Sequence, residues 1–231
     1  MLHLDHLTLA QGSFRLRANW SLPPGTKLAL LGASGAGKST LLMGLAGFLK
    51  PTSGRILWQD RDITRLPPAE RPMAMLFQDQ NLFPHLTLQQ NLGLALNPRL
   101  KLTAQDHTKI AQVLDRLGLS GMHLRKPADL SGGQQGRAAL GRVLLQARPI
   151  LLLDEPFAAL GPALKADLLG LVTELATEAA TTVIMVTHDP NDAKRFADQV
   201  VLVHGATTDA PQPTEAIFAD PPEALRAYLG S

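Results

Sequence analysis

The sequence predicts an α/β fold: a mostly parallel sheet flanked by helices, with an N-terminal antiparallel β subdomain and an inserted helical subdomain. Three observations predict it. Short apolar runs such as Lys27-Leu28-Ala29-Leu30-Leu31 and Ile150-Leu151-Leu152-Leu153 have the composition of strands buried on both faces. Such runs alternate with helical patterns at both ends of the chain, whereas residues 86–146 carry only helical periodicity. Between one buried strand and a helix lies Gly32-Ala33-Ser34-Gly35-Ala36-Gly37-Lys38-Ser39-Thr40, which reads G-x-x-x-x-G-K-S.

The elements follow in order. Leu2, Leu4, Leu7 and Leu9 stand among polar residues, the pattern of a half-buried strand over 2–9. Gln11-Gly12-Ser13 reads as a turn. Phe14, Leu16, Ala18 and Trp20 then share one face of a second strand, so a hairpin is expected. Pro23-Pro24-Gly25 breaks the chain before the strand at 27–31. A helix is expected over 38–49, a short strand over 55–58, a proline-containing loop over 60–71 and a strand over 73–77. In the helical block, Thr87 is a candidate N-cap for a helix that opens at 87–92. A second helix over 103–117 has Ile110, Val113, Leu114 and Leu117 on one face and Gly118 as its stop. A third follows Leu130-Ser131-Gly132-Gly133-Gln134 and reaches Ala147. Beyond the strand at 150–153, Pro162 opens a helix over 162–180, followed by a strand at 182–186. A helix over 191–197, a strand over 199–203 and a tail helix over 223–229 complete the chain. The expected division is a core of residues 1–80 and 149–231 with a helical subdomain at 81–148.

Composition narrows the function classes. A chain of 231 residues is long enough for one sizeable α/β domain carrying a subdomain. A net charge of +2 without a lysine/arginine block gives no ground for a nucleic-acid partner. With no cysteine there is no disulfide, thiolate metal site or cysteine nucleophile. The N-terminus lacks the basic head and apolar run of a secretory signal. No apolar run reaches bilayer-spanning length. The expectation is a protein that is soluble or reaches a membrane through a partner.

The chemistry gathers at strand ends. Glycines let the loop at 32–40 turn tightly and present its N–H groups to an anion, and the helix after it adds a favourable dipole. Lys38 can reach β- and γ-phosphates, and the hydroxyl of Ser39 can ligate Mg²⁺. Asp154 and Glu155 follow a buried strand, where ligands of parallel sheets bind. Asp154 can hold Mg²⁺, and Glu155 can polarise a water for attack on a γ-phosphate. Gln78 and His188 also follow strands. Gln78 could contact Mg²⁺ or the attacking water, and His188 could reach the γ-phosphate or position Glu155. Spacing alone favours an ordinary polar strand-end residue at both. Ser131, Gly132, Gly133 and Gln134 resemble a second anion cradle, one without a lysine.

Taken in this order, residues 32–39, Gln78, residues 130–134, Asp154-Glu155 and His188 resemble the ATP-binding-cassette ATPases of membrane transporters, over essentially the whole chain. The resemblance implies a P-loop NTPase core, ATP and Mg²⁺ as ligands, and a head-to-tail homodimer enclosing two nucleotides. Ser131, Gly132, Gly133 and Gln134 of one copy would then close on the phosphate held by Lys38 of the other. It also implies metal contacts from Ser39, Gln78 and Asp154, with Gln78 as sensor, Glu155 as general base and His188 as switch. The helical subdomain would grip a membrane permease fed by a periplasmic binding protein, at the cytoplasmic face of a bacterial inner membrane. Residues 75–78, 81–87 and 91–102 are similar to the ATPase subunits of bacterial thiamine importers, a branch of this family. Two other readings remain: a soluble cassette protein of DNA repair or translation, and a module that dimerises on ATP but barely hydrolyses it.

The chain departs from the family pattern in several places. Where Gly161 stands the family usually has aspartate, and often serine at Ala158, in the Ala158-Ala159-Leu160 loop that couples the two ATP sites. Gly136 replaces a long polar residue inside a helix, at a cost of about 1 kcal/mol relative to alanine. The family often stacks adenine on an aromatic residue near the first turn, where this chain offers Phe14.

Overall fold

The expected hairpin opens the chain in the computed structural model, which describes residues 1–79, 81–158 and 160–230. Gln80, Ala159 and Ser231 lie outside the described residues, so the loop expected to couple two ATP sites is described at Ala158, Leu160 and Gly161. Strand β1 (Leu2–Gln11) pairs antiparallel with β2 (Phe14–Leu22). The alternation in β1 is broken between Leu4 and Leu7, and the structure shows why: the register shifts there, and His6 takes a φ of 48°. This irregularity returns Leu7 and Leu9 to the face of Leu2 and Leu4, all of them buried.

Strand β3 (Lys27–Leu31) leads through the glycine loop into α1 (Lys38–Ala46). The helix is shorter than the expected 38–49. Gly47 adopts the left-handed conformation at φ 88° and stops it, its N–H reaching back to Gly44 and Met43. Strand β4 (Ser53–Trp58) pairs with β1 and with the two-residue β5 (Arg61–Asp62), which lies in the segment expected to be loop. A single 3₁₀ turn at Pro68–Glu70 precedes β6 (Met73–Leu76).

Three helices follow: α2 (Leu88–Gly93), α3 (Ala104–Arg116) and α4 (Gly132–Leu144). Thr87, Thr103 and Ser131 cap them, each in a reciprocal pair with the residue three positions on. Ile110, Leu114 and Leu117 are buried as expected, and Val113 is half-buried. The chain then returns to the sheet with β7 (Ile150–Asp154), α5 (Pro162–Glu178), β8 (Thr182–Val186), α6 (Pro190–Phe196) and β9 (Gln199–His204). The tail holds more structure than expected. Short strands β10 (Thr207–Thr208) and β11 (Gln212–Pro213) and helix α7 (Thr214–Ala219) precede α8 (Glu223–Leu229). Two-residue strands and a six-residue helix are too brief for a periodic signal.

Among the described residues the strands form one sheet in the order β5-β4-β1-β2-β10-β9-β3-β8-β7-β6, with β11 paired to β9. The run β9-β3-β8-β7-β6 is parallel. Its strands are buried on both faces. Leu28, Leu30, Ile150, Leu152 and Ile184 join the core shared with α1 and the N-terminal strands. Ala29, Leu31, Leu151, Leu153, Val183 and Met185 join the core shared with α2 to α8. Alternate side chains thus serve opposite faces, and for that reason these strands read as unbroken apolar runs.

Candidate active site

Strand register brings the predicted residues together. Leu30 of β3 lies opposite Val186 of β8, Val186 opposite Asp154 of β7, and Leu153 opposite Leu76 of β6. The four chain segments that leave these neighbouring strands therefore carry Gly32–Thr40, Thr187-His188, Asp154-Glu155 and Phe77-Gln78 to one edge. That edge is the carboxyl end of a parallel sheet, where ligand sites form in such folds.

The glycine loop is tightly built. A Cβ on Gly32 would lie 2.2 Å from the Val203 carbonyl oxygen, so β9 leaves room for no side chain there. Gly37, at φ 105°, is the N-cap of α1, and a Cβ there would lie 2.8 Å from the Phe14 ring. Phe14 is thus packed against the phosphate loop. Its ring, Gly32–Ala36, the residues at the end of β9 and helix α8 enclose a cavity of about 510 Å³.

Lys38 is 6% exposed, and its ammonium donates to the carbonyls of Gly32 at 2.8 Å and Ala33 at 2.9 Å. Burial lowers its pKa, opposed by the charges of Glu155 and Asp154. Ser39 Oγ donates to Asp154 Oδ1 at 3.0 Å. Burial pushes the Asp154 carboxyl up, the Ser39 hydrogen bond pulls it down, and the charge of Glu155 adds to the rise. A hydroxyl and a carboxylate at hydrogen-bond distance are hard oxygen donors, the set that suits Mg²⁺.

Glu155 has a φ of 45°, unusual for a non-glycine residue, and its N–H donates to the Val186 carbonyl at 3.2 Å. His188 Nδ1 lies 3.4 Å from Glu155 Oε2. Gln78 stands exposed two residues beyond β6. The four residues Ser131–Gln134 lie elsewhere, at the start of α4. The Ser131 hydroxyl accepts from the Gln134 N–H at 3.3 Å, and Gln134 Oε1 accepts from the Ser131 N–H at 2.9 Å. This second cradle is held in shape by its own two polar side chains.

Sequence reasoning did not find the groups that brace the site. Lys165 of α5 donates to Asp189 and Asp192, each at 2.9 Å, and Thr187 Oγ1 donates to Asp192 at 2.9 Å. Tyr228 of α8 donates to the His188 carbonyl at 2.5 Å. Asn91 is fully buried; its side chain accepts from Phe83 N–H and donates to the carbonyls of Phe83, Leu86 and Thr87. A buried asparagine beside apolar helix positions was a visible signal. Lys165 and Tyr228 carried none, because their partners are 24 and 40 residues away.

A phosphate loop on a parallel strand paired on both sides, a serine-aspartate pair beside it and a glutamate facing a histidine define a nucleoside-triphosphate hydrolase of the P-loop class. The profile described as ABC transporter matches residues 16–158, more than half of the chain. The chain belongs to the ABC transporter family and is one of its ATP-binding cassettes. It is 63% identical to the thiamine import ATP-binding protein ThiQ of Cereibacter sphaeroides, with 100% of both chains covered. It is 53% identical to the ThiQ protein of a Ruegeria species, again over 100% of both. Among solved structures it resembles a nucleotide-free ATP-binding cassette from an ABC transporter, with a TM-score of 0.86 and 26% identity over 100% of this chain and 99% of that one. It also resembles the dimeric, post-hydrolysis cassette MJ0796 bound to ADP and Pi, with a TM-score of 0.80 and 28% identity over 93% of this chain and 99% of that one. Among the described residues no helix is long and apolar enough to cross a membrane.

Proposed function

We propose that this chain hydrolyses ATP to drive thiamine import, as one of two identical cassettes beneath a membrane permease. The observation that carries the catalytic reading is the convergence of Lys38, Ser39, Asp154, Glu155 and His188 at one sheet edge. The thiamine assignment is supported by the full-length relatives named above.

In this reading the loop N–H groups and Lys38 hold the β- and γ-phosphates. Lys38 has to leave the two loop carbonyls it now meets. Ser39 and Asp154 are the residues that would hold Mg²⁺, with Gln78 entering from the neighbouring strand. The ion supplies positive charge against the phosphate oxygens when bound. Glu155 accepts a proton from water as the water oxygen attacks the γ-phosphorus in line. The bond to the bridging oxygen breaks, leaving ADP and inorganic phosphate. His188, beside Glu155, orients that carboxylate and donates toward the γ-phosphate. Phe14, packed on the loop, is the aromatic surface available to adenine.

Ser131–Gln134 close the site of a second copy. Their capping box keeps the α4 N-terminus preformed, which favours an incoming phosphate. The helical subdomain, residues 81–148, meets the permease. A groove of about 760 Å³ runs between Phe48 and Phe77 on the core and Leu82, Phe83 and Leu94 on the helical side. Phe48 and Phe83 are exposed large apolar residues at this groove, suited to a short amphipathic helix from the permease. The substrate itself is bound by the permease and a periplasmic binding protein.

The test is uptake of radiolabelled thiamine by cells carrying the parent subunit or Glu155→Gln, alongside phosphate release by the purified chain. Glu155→Gln should abolish uptake, slow hydrolysis by about 10²–10⁴-fold and accumulate an ATP-bound dimer. Hydrolysis at the parent rate would remove Glu155 as general base. Uptake indifferent to the whole subunit would remove thiamine as the cargo.

A further inference from the structure

His188 sits in the turn between β8 and α6, and the residues around it are anchored by side chains. Thr187 Oγ1 accepts from the Asp189 N–H at 3.1 Å and donates to Asp192. Asp189 caps α6 through the Asn191 N–H at 2.9 Å. Lys165 pins both aspartates from α5. The peptide carbonyl of His188 is held from a different direction, by the Tyr228 hydroxyl. The imidazole is itself 58% exposed and lies near Glu155, so its aim depends on how its backbone is held.

We propose that Tyr228 is a positioning residue for His188: through its hydrogen bond to the His188 carbonyl, helix α8 sets the angle at which the imidazole meets Glu155 and the γ-phosphate. The proposal rests on His188 acting in hydrolysis as described above. Three observations support it. First, α8 is firmly seated. Leu225 is fully buried, and Ala224 and Tyr228 pack against the same core from positions on one helix face. The phenol is thus delivered by a fixed element and not by a loose tail. Second, the bond is short and its donor is unambiguous, since a phenol O–H donates and a carbonyl accepts. Burial raises the Tyr228 pKa, and the charges of Asp189 and Glu155 raise it further, so the donor proton is retained at neutral pH. Third, Tyr228 also lines the cavity that Gly32–Ala36 line. It therefore stands between the loop that holds the nucleotide and the turn that carries the histidine.

Tyr228 is the sole tyrosine of the chain, so Tyr228→Phe removes one hydroxyl and keeps the ring that packs α8. The experiment is a double-mutant cycle on the full chain across Mg·ATP concentrations up to saturation: parent, Tyr228→Phe, His188→Ala and both together, each with its melting temperature. Tyr228→Phe should lower kcat about five- to tenfold, the worth of one hydrogen bond, with KM for ATP within about twofold and melting temperature unchanged. In the His188→Ala background it should cost nothing further. A merely structural role would lower stability or act equally in both backgrounds, and either result overturns the proposal, as does a Tyr228→Phe kcat equal to the parent. If His188→Ala keeps the parent rate, the role of His188 and this proposal fall together. If His188→Ala is impaired and Tyr228→Phe is not, only this proposal falls. Should Tyr228→Phe fail to fold, Tyr228→Leu, which keeps an apolar side chain on the core and has no donor, is carried through the same cycle with the same expectations.

Discussion

Arg71 is the strongest single test of how the phosphate helix is held. It is 1% exposed and donates to four backbone carbonyls: Leu66 at 3.0 Å, Gly44 at 2.8 Å, Leu45 at 2.6 Å and Thr64 at 2.8 Å. Two of these belong to the last turn of α1, where the helix dipole favours a cation. Burial pulls the guanidinium below its ordinary pKa, yet its fork of donors is well satisfied. Arg71→Met keeps the stem and removes charge and donors. The Gly44 carbonyl keeps the Gly47 N–H, but each of the other three left without its guanidinium partner costs about 1–3 kcal/mol, partly offset because a cation no longer has to be desolvated. The net loss is about 3 kcal/mol. For a chain of this size that lowers the melting temperature by roughly 6–12 °C. Arg71→Lys should recover less than half, because an ammonium lacks the planar fork. Thermal melts followed by circular dichroism decide it. A shift under about 2 °C for Arg71→Met, or Arg71→Lys matching the parent, would refute the account.

Two further predictions concern the braces around the histidine turn. The Lys165 hydrogen bond holds the Asp189 carboxyl below its ordinary range, against burial. That stabilisation is present above about pH 4, the unfolded aspartate value, and is lost as pH falls through the folded value. Lys165→Met should therefore melt below the parent at pH 7, and the gap should close below about pH 4; a gap constant down to pH 3 would contradict the ion-pair account. Gly161, the N-cap of α5, has φ −65° and ψ 156°, and a Cβ there meets nothing within 4 Å. Gly161→Asp should thus fit without strain and hold or raise the melting temperature, since aspartate caps helices well and glycine does so at a small disadvantage. It should also raise the ATPase rate if a polar residue in this loop helps one site respond to the other, and a lower melting temperature would show that the space is not free.

Much of the site was legible in the chain. The glycine loop, the acid pair after an apolar strand and the Ser131–Gln134 cradle are local arrangements, each complete within a few consecutive residues; that Ser131 and Gln134 also cap α4 reciprocally came from the structure. Leu28 to Leu31 and Ile150 to Leu153 announced central strands because both faces needed apolar cover. The irregularity at His6 was half-visible, as an alternation that skipped from Leu4 to Leu7. The short tail strands leave no trace in the sequence pattern because two residues cannot carry a period. The helix expected over 38–49 ends at Ala46 because Gly47 adopts a left-handed conformation that the apolar pattern does not reveal.

Spacing along the backbone is enough to define the glycine loop, the pair of strand-end acids and the Ser131–Gln134 stretch. How they are held is a property of the folded chain. Strand register placed Asp154 level with Val186 and so brought Glu155 within 3.4 Å of His188. Packing placed Phe14 on Gly37, Arg71 under the end of α1, and Lys165 and Tyr228 around the histidine turn. Local patterns follow from the geometry of neighbouring residues, whereas a lysine's choice of aspartate, or a tyrosine's choice of carbonyl, depends on where distant elements come to rest.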